Sequence, residues 1–334
     1  MIDDLRVKND EVLIRLHWPT PFQASHRSAR EAVEGKLKEI GVKKTHFQEQ
    51  VEIPAQARQG ENSLLPGVRN IIAVASGKGG VGKSTVSANL ALSLARAGAA
   101  VGLMDADVYG PSMGLMLGAA GRPVMADEKT LIPIDAQGIR LMSMAFLSGD
   151  DTPVIWRGPM VHGLIQQFLS NVAWGELDYL VIDLPPGTGD AQLTLTQLAP
   201  LSGSVIVTTP QEVSLIDARK GLRMFQQVNV PVLGVVENMS YFVDPASGNR
   251  TDIFGHGGGK RTAGELSIPF LGEVPIDPEV ARGGDEGMPI VRKNPESPAA
   301  QAIAVIAEKV AGQLAELAIK GRGSAALHLD WDDN

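Results

Sequence analysis

The residues best equipped for chemistry are Gly77, Gly82, Lys83 and Ser84, which occupy the fixed places of G-x-x-x-x-G-K-[ST] within Ser76-Gly77-Lys78-Gly79-Gly80-Val81-Gly82-Lys83-Ser84-Thr85. Glycines at this density let backbone N–H groups wrap the β- and γ-phosphates of a nucleotide. A lysine supplies a point charge, and a serine supplies a hydroxyl for Mg²⁺. The cradle is therefore expected to comprise Gly77, Lys78, Gly79, Gly80, Val81, Gly82, Lys83, Ser84 and Thr85. Three aspartates stand where they could serve the same site. Asp183 ends the apolar run Tyr179-Leu180-Val181-Ile182 and is expected on Mg²⁺, directly or through water. Asp105 and Asp107, two apart, end the run Ala100-Val101-Gly102-Leu103-Met104. They could face a ligand or cap the following helix.

Positioning such residues takes a strand that ends in the cradle and a helix that begins in it. Ile71-Ile72-Ala73-Val74-Ala75 reads as a buried strand, and Val86, Leu90 and Leu94, four apart before Gly98, read as a helix. Its positive N-terminal end would face the phosphates. Further strand-like runs at 204–210, 232–238 and 270–277, the last with its loop, alternate with helical spacing at 160–168 and 212–227. This pattern predicts an α/β fold, a mostly parallel sheet flanked by helices, with the aspartates at its carboxyl edge. Pro185-Pro186-Gly187 makes a stiff turn whose Gly187 amide could sense a γ-phosphate. Residues 1–53 read as a small α+β unit: strands at 4–7, 11–16 and 44–53 and a helix at 28–40. Residues 54–66 read as a linker and 67–320 as the main domain. Ser297 to Ile319 reads as an amphipathic helix through Ile303, Ile306, Val310, Leu314 and Leu317, and 321–334 as a disordered acidic tail. Arg157 beside a turn suits a surface better than a phosphate, and His256, with Asp252, is short of the partners a metal needs.

The 334 residues are 44% hydrophobic and 20% charged, ordinary for a globular protein with a large core. The net charge of −8 argues against a nucleic-acid surface. No run of 18 apolar residues exists and the start is no signal peptide, so a cytoplasmic protein with no membrane partner is expected. Cysteine is absent altogether, which removes disulfides and every thiolate metal site.

GKGGVGKST resembles the deviant cradle of the P-loop NTPases that include MinD, ParA and the nitrogenase iron protein. In that class the extra lysine, here Lys78, crosses a dimer interface to the partner's nucleotide. The resemblance implies that Asp107 orients or activates the attacking water and that Asp105 supports Mg²⁺ or its waters. It also implies that Asn238 recognises adenine, with the loop at Pro275 flanking it. Taken with ENMSYFV, R-T-D-I-F-G-H-G-G-G-K and PPGTGD, residues from about 66 to 320 resemble the Mrp/ApbC iron–sulfur carrier ATPases. Residues 1–53 resemble a clipped copy of the small domain often fused to them, beginning at that domain's second strand and lacking the cysteine expected after Thr20-Pro21.

The implied activity is a dimeric ATP-binding and ATP-hydrolysing switch in iron–sulfur cluster assembly or transfer. Lys78, Lys83 and Asp107 would be its catalytic groups, and Ser84, Asp183 and Asp105 its magnesium side. The cofactors would be ATP and Mg²⁺; the partners would be a second copy and cluster-assembly or client proteins. The family's C-x-x-C would fall between Val243 and Gly248, where this chain has Asp244-Pro245-Ala246-Ser247. Hard oxygen ligands do not suit an iron–sulfur cluster. Either a partner supplies the thiols or the cluster role has lapsed. A MinD/ParA-like positioning ATPase and a nucleotide-sensing scaffold are the alternatives.

Overall fold

The computed structural model describes residues 2–8, 10–56, 64–108, 110–147, 158–187, 189–322 and 329–331. Arg157 and most of the C-terminal tail lie outside the described residues. The chain divides into two compact units, residues 1–56 with 311–334, and residues 57–310.

In the first unit, β1 (Ile2–Lys8) and β2 (Glu11–Trp18) form an antiparallel hairpin. Helix α1 (Gln23–Glu39) then returns the chain so that β3 (Lys44–Val51) lies parallel to β2, with Ile14 beside Phe47. Alternation along β2 puts Val12, Ile14 and Leu16 on one buried face, packed with Val33 and Leu37 of α1. The helix begins five residues before the expected Ser28. Apolar spacing missed its first turns because their buried residue is a histidine. His26 stacks on Trp18 with ring centroids 4.5 Å apart and an interplanar angle of 7°, and its Nε2 bonds the Thr20 carbonyl.

The second unit is built on β4 (Val68–Ser76), which runs into the glycine loop and α2 (Lys83–Arg96), followed by β5 (Val101–Asp105) and α3 (Met113–Met116). A small ribbon, β6 (Val124–Met125) with β7 (Leu131–Ile132), precedes the hairpin β8 (Ile134–Ala136) and β9 (Ile139–Ser143). Then come α4 (Gly158–Ser170), β10 (Leu177–Asp183), α5 (Asp190–Leu198), β11 (Gly203–Thr208), α6 (Glu212–Gln227) and β12 (Val232–Glu237). The hairpin β13 (Phe242–Val243) and β14 (Arg250–Thr251) follows, then α7 (Gly258–Glu265), β15 (Phe270–Glu273), α8 (Pro278–Asp285), α9 (Ile290–Lys293) and α10 (Pro298–Arg322), whose residues from 311 onward belong to the first unit. The eight-stranded sheet has the order β15-β12-β11-β4-β10-β5-β9-β8 and is parallel except for β8. Its central strands are near-continuous apolar runs because helices cover both faces; Ile71, Ile72, Leu180, Val181 and Val207 are fully buried. Gly102 in β5 lets Trp174 and Leu177 close over the strand, since a Cβ there would meet their side chains at 3.1 and 2.8 Å.

Helix α10 runs three residues beyond the expected Ile319, and Ser297 Oγ accepts from the Ala300 amide at its start. Of the expected tail, residues 321 and 322 extend α10, and residues 329–331 form β16 (Leu329–Trp331), parallel to β1 with Leu329 beside Leu5. Among the described residues no helix is long and apolar enough to cross a membrane.

Candidate nucleotide site

Strand β4 lies between β10 and β11, so the glycine loop emerges at the centre of the carboxyl edge, where α/β sheets hold their ligands. Gly80 and Gly82 adopt φ of +80°, a conformation that favours glycine. Gly77 is glycine for a different reason: a Cβ there would collide with the Asp217 backbone of α6. The loop curls around a cavity of about 270 Å³ whose lining includes Lys78, Gly80, Lys83, Ser84, Thr85 and Asp107. Two lysines, Lys78 and Lys83, are among the residues of its wall. Glycine backbone, cationic wall and the N-terminus of a 14-residue helix fit a polyphosphate.

Below the loop the polar groups are tightly engaged. Asp183 is fully buried. Its Oδ2 accepts from Lys83 Nζ at 2.7 Å and Ser84 Oγ at 2.6 Å, and its Oδ1 accepts from Ser87 Oγ at 2.6 Å. A serine hydroxyl and an aspartate oxygen this close offer the hard oxygen ligands that Mg²⁺ takes beside phosphates, so the donor set fits the ion. Ser87 was not foreseen, although it lies one helical turn past Lys83 and therefore on the same face of α2.

Asp105 is beside Asp183 on the neighbouring strand but is turned to another task. Its oxygens accept from the amides of Asp107, Ser112 and Met113 and from Ser143 Oγ, at 3.2, 3.1, 3.1 and 2.8 Å. It is fully buried and anchors the loop that carries Asp107, as a cap does, instead of facing the cavity. Burial, reinforced by the Asp183 charge, pushes its pKa up to about 7. A raised carboxyl pKa means that the folded chain binds a proton the unfolded chain has lost. The contribution of this one group to stability therefore falls as pH rises from about 4 to about 7, then levels off, by on the order of 4 kcal/mol at most. Asp105→Asn is expected to flatten that decline in melting temperature for the nucleotide-free protein. An unchanged slope would contradict the assignment.

Asp107 lines the cavity and accepts from the Gly110 amide at 3.3 Å. The Gly187 amide, at φ +95°, donates to the Ser76 carbonyl at 3.0 Å. Asn238 Nδ2 donates to the Val81 carbonyl at 2.9 Å and packs against Gly82, so this amide braces the loop from beneath. Pro275 is buried in the loop after β15. Neither Asn238 nor Pro275 is among the residues lining the cavity.

A family model described as ParA, NUBPL iron-transfer P-loop NTPase, matches residues 67–311. The chain belongs to this family. An iron–sulfur cluster carrier protein of Synechocystis sp. is 49% identical over 325 residues, spanning 96% of this chain and 92% of the relative. One from Escherichia coli K12 is 42% identical, spanning 92% and 84%. Among solved structures, a nucleotide-binding protein from Archaeoglobus fulgidus, in complex with ADP and with cobalt found, is 44% identical. It has a TM-score of 0.61 and covers 69% of this chain and 92% of that one. MinD of Pyrococcus horikoshii with Mg-ADP, at 24% identity and TM-score 0.56 over 72% and 95% of the two chains, shares the fold.

The hairpin where family resemblance places two cysteines is a closed oxygen-ligand turn in this NTPase. Asp244 accepts from the Ala246 amide and Ser247 Oγ, both at 2.9 Å, and these donors hold its carboxyl below the usual range. With no thiol in the chain, the residues present do not fit an iron–sulfur cluster. Glu237, His256 and Glu273 bring ligand atoms within 4.8 Å of one another. There the Arg250 guanidinium donates to His256 Nδ1 at 2.7 Å, lies 3.8 Å from Glu273 and stacks on Tyr241. That position already holds a cation.

Proposed function

We propose that the chain is an ATP-hydrolysing switch that acts as a homodimer in iron–sulfur cluster transfer and supplies no cluster ligand of its own. The observation that carries this reading is an intact cradle, with Lys83, Ser84 and Asp183 in mutual contact, in a carrier-family chain without cysteine. Lys83 would leave Asp183 for the phosphates, and Ser84 and Asp183 would then hold Mg²⁺, which supplies charge neutralisation as phosphate oxygens develop negative charge. Asp107, at the cavity wall, would orient a water for attack. Asp105 would act by fixing the Asp107 loop, and Asn238 by bracing the cradle, leaving any adenine contact to its Oδ1. Lys78 would complete the partner's site.

In a carrier of this kind the cluster is cargo, and its thiolate ligands come from the protein that gives or receives it. Anaerobic reconstitution with iron and sulfide is therefore expected to leave this protein without a stable 4Fe–4S absorbance. A cysteine-bearing cluster-assembly protein added in the presence of ATP should retain the chromophore and co-elute with the switch. A robust cluster spectrum from this chain alone would end the reading.

A further inference from the structure

We infer that Ser87 is a positioning residue for magnesium: it holds the Asp183 carboxylate in place while the other partners of that carboxylate are exchanged for nucleotide. The inference rests on reading the cradle as a Mg²⁺–nucleotide site. Among the described residues three side chains hold Asp183, and they differ in what nucleotide binding asks of them. Lys83 Nζ and Ser84 Oγ both sit on Oδ2, and both are groups that such a loop turns toward phosphate and metal. Ser87 Oγ sits on the other oxygen, Oδ1, at 2.6 Å, is fully buried and is not among the residues lining the cavity. It has no competing duty there.

The torsion about the Cβ–Cγ bond of an aspartate is broad and two-fold, so the buried carboxylate needs a fixed donor to keep Oδ2 turned toward Ser84, which does line the cavity. Asp105 lies directly beside Asp183 in the sheet, so an unanchored Asp183 would have a second carboxyl group as its neighbour. Ser87 meets that need because residues 83 and 87 are four apart on α2 and project from the same face. Its hydroxyl can donate one proton. The Lys83 carbonyl is a second acceptor at 3.0 Å, against 2.6 Å to Asp183, and the shorter contact to the charged oxygen is the stronger one.

The test separates metal from nucleotide. Binding of a fluorescent ATP analogue is measured in EDTA and across a Mg²⁺ titration for wild type, Ser87→Ala and Ser87→Thr. Alanine suits a helix interior, and melting curves check that each variant is folded. For Ser87→Ala, affinity in EDTA should match wild type, while half-saturation by Mg²⁺ should rise by roughly tenfold or more, the lower end of the range for losing a hydrogen bond to a charged group. Ser87→Thr, which keeps the hydroxyl, should restore the wild-type Mg²⁺ response. Equal Mg²⁺ titrations for Ser87→Ala and wild type would overturn the positioning role alone, as would an equal loss with and without the metal. A wild type whose nucleotide binding ignores Mg²⁺ would overturn the site reading and this role with it.

Discussion

Lys83→Ala is expected to abolish nucleotide binding, lowering the affinity for a fluorescent ATP analogue by roughly 100-fold or more, as loss of a desolvated charge-assisted contact does. The same variant should also weaken the empty protein. Lys83 is the cationic partner of Asp183, at 2.7 Å, with exposures of 6% and 0%. Removing one member of a buried pair strands the other charge, at a cost of about 3–5 kcal/mol. Here the stranded carboxylate would also face Asp105 on the adjacent strand. The nucleotide-free variant should melt below wild type, and Lys83→Ala with Asp183→Asn should recover part of that loss, since the double change removes both charges. Near-normal affinity in Lys83→Ala would refute the cradle. A double variant no more stable than the single one would refute the ion pair as the cause of the weakening.

The parts of this site that were legible in the sequence are those whose chemistry depends on residues close together in the chain. The loop at 76–85 needs its glycines at fixed spacing, and the apolar runs before Asp105 and Asp183 announce buried parallel strands, because such strands have no polar face. What the sequence hid depends on contacts between distant segments. Gly77 looks like part of a phosphate cradle, yet the need for glycine comes from the backbone at Asp217, 140 residues later. Asp105 and Asp107 look like a matched pair. Burial separates them: one is sealed among the amides of its own loop and the other stands at the cavity wall. Asn238 reads as a base-recognition residue by resemblance, and only the fold brings its amide to the Val81 carbonyl. In the first unit a histidine stacked on a tryptophan does the packing normally expected of an aliphatic residue, so periodicity places the start of α1 too late.

Lys78→Ala is expected to split binding from turnover. Lys78 lines the cavity, its carbonyl accepts from Ser76 Oγ at 2.9 Å, and among the described residues its ammonium group makes no ion pair. Its backbone is thus fixed by the chain while its charge is left available, the reverse of Lys83, whose charge is committed to Asp183. A charge that reaches the phosphates only when two protomers meet can stabilise the transition state without contributing to the first binding step. Such a lysine would work like an arginine finger supplied in trans, and groups of that kind contribute about 10³–10⁵ in rate. The variant should therefore bind nucleotide within a few-fold of wild type and hydrolyse it at least about 10³ times more slowly. Dilution supplies the second arm of the measurement. Turnover per protomer in wild type should fall as the protein is diluted, whereas the residual rate of Lys78→Ala should not change. Wild-type hydrolysis in the variant, or wild-type turnover that is independent of concentration, would mean that each protomer completes its own site and that the partner's lysine is not required.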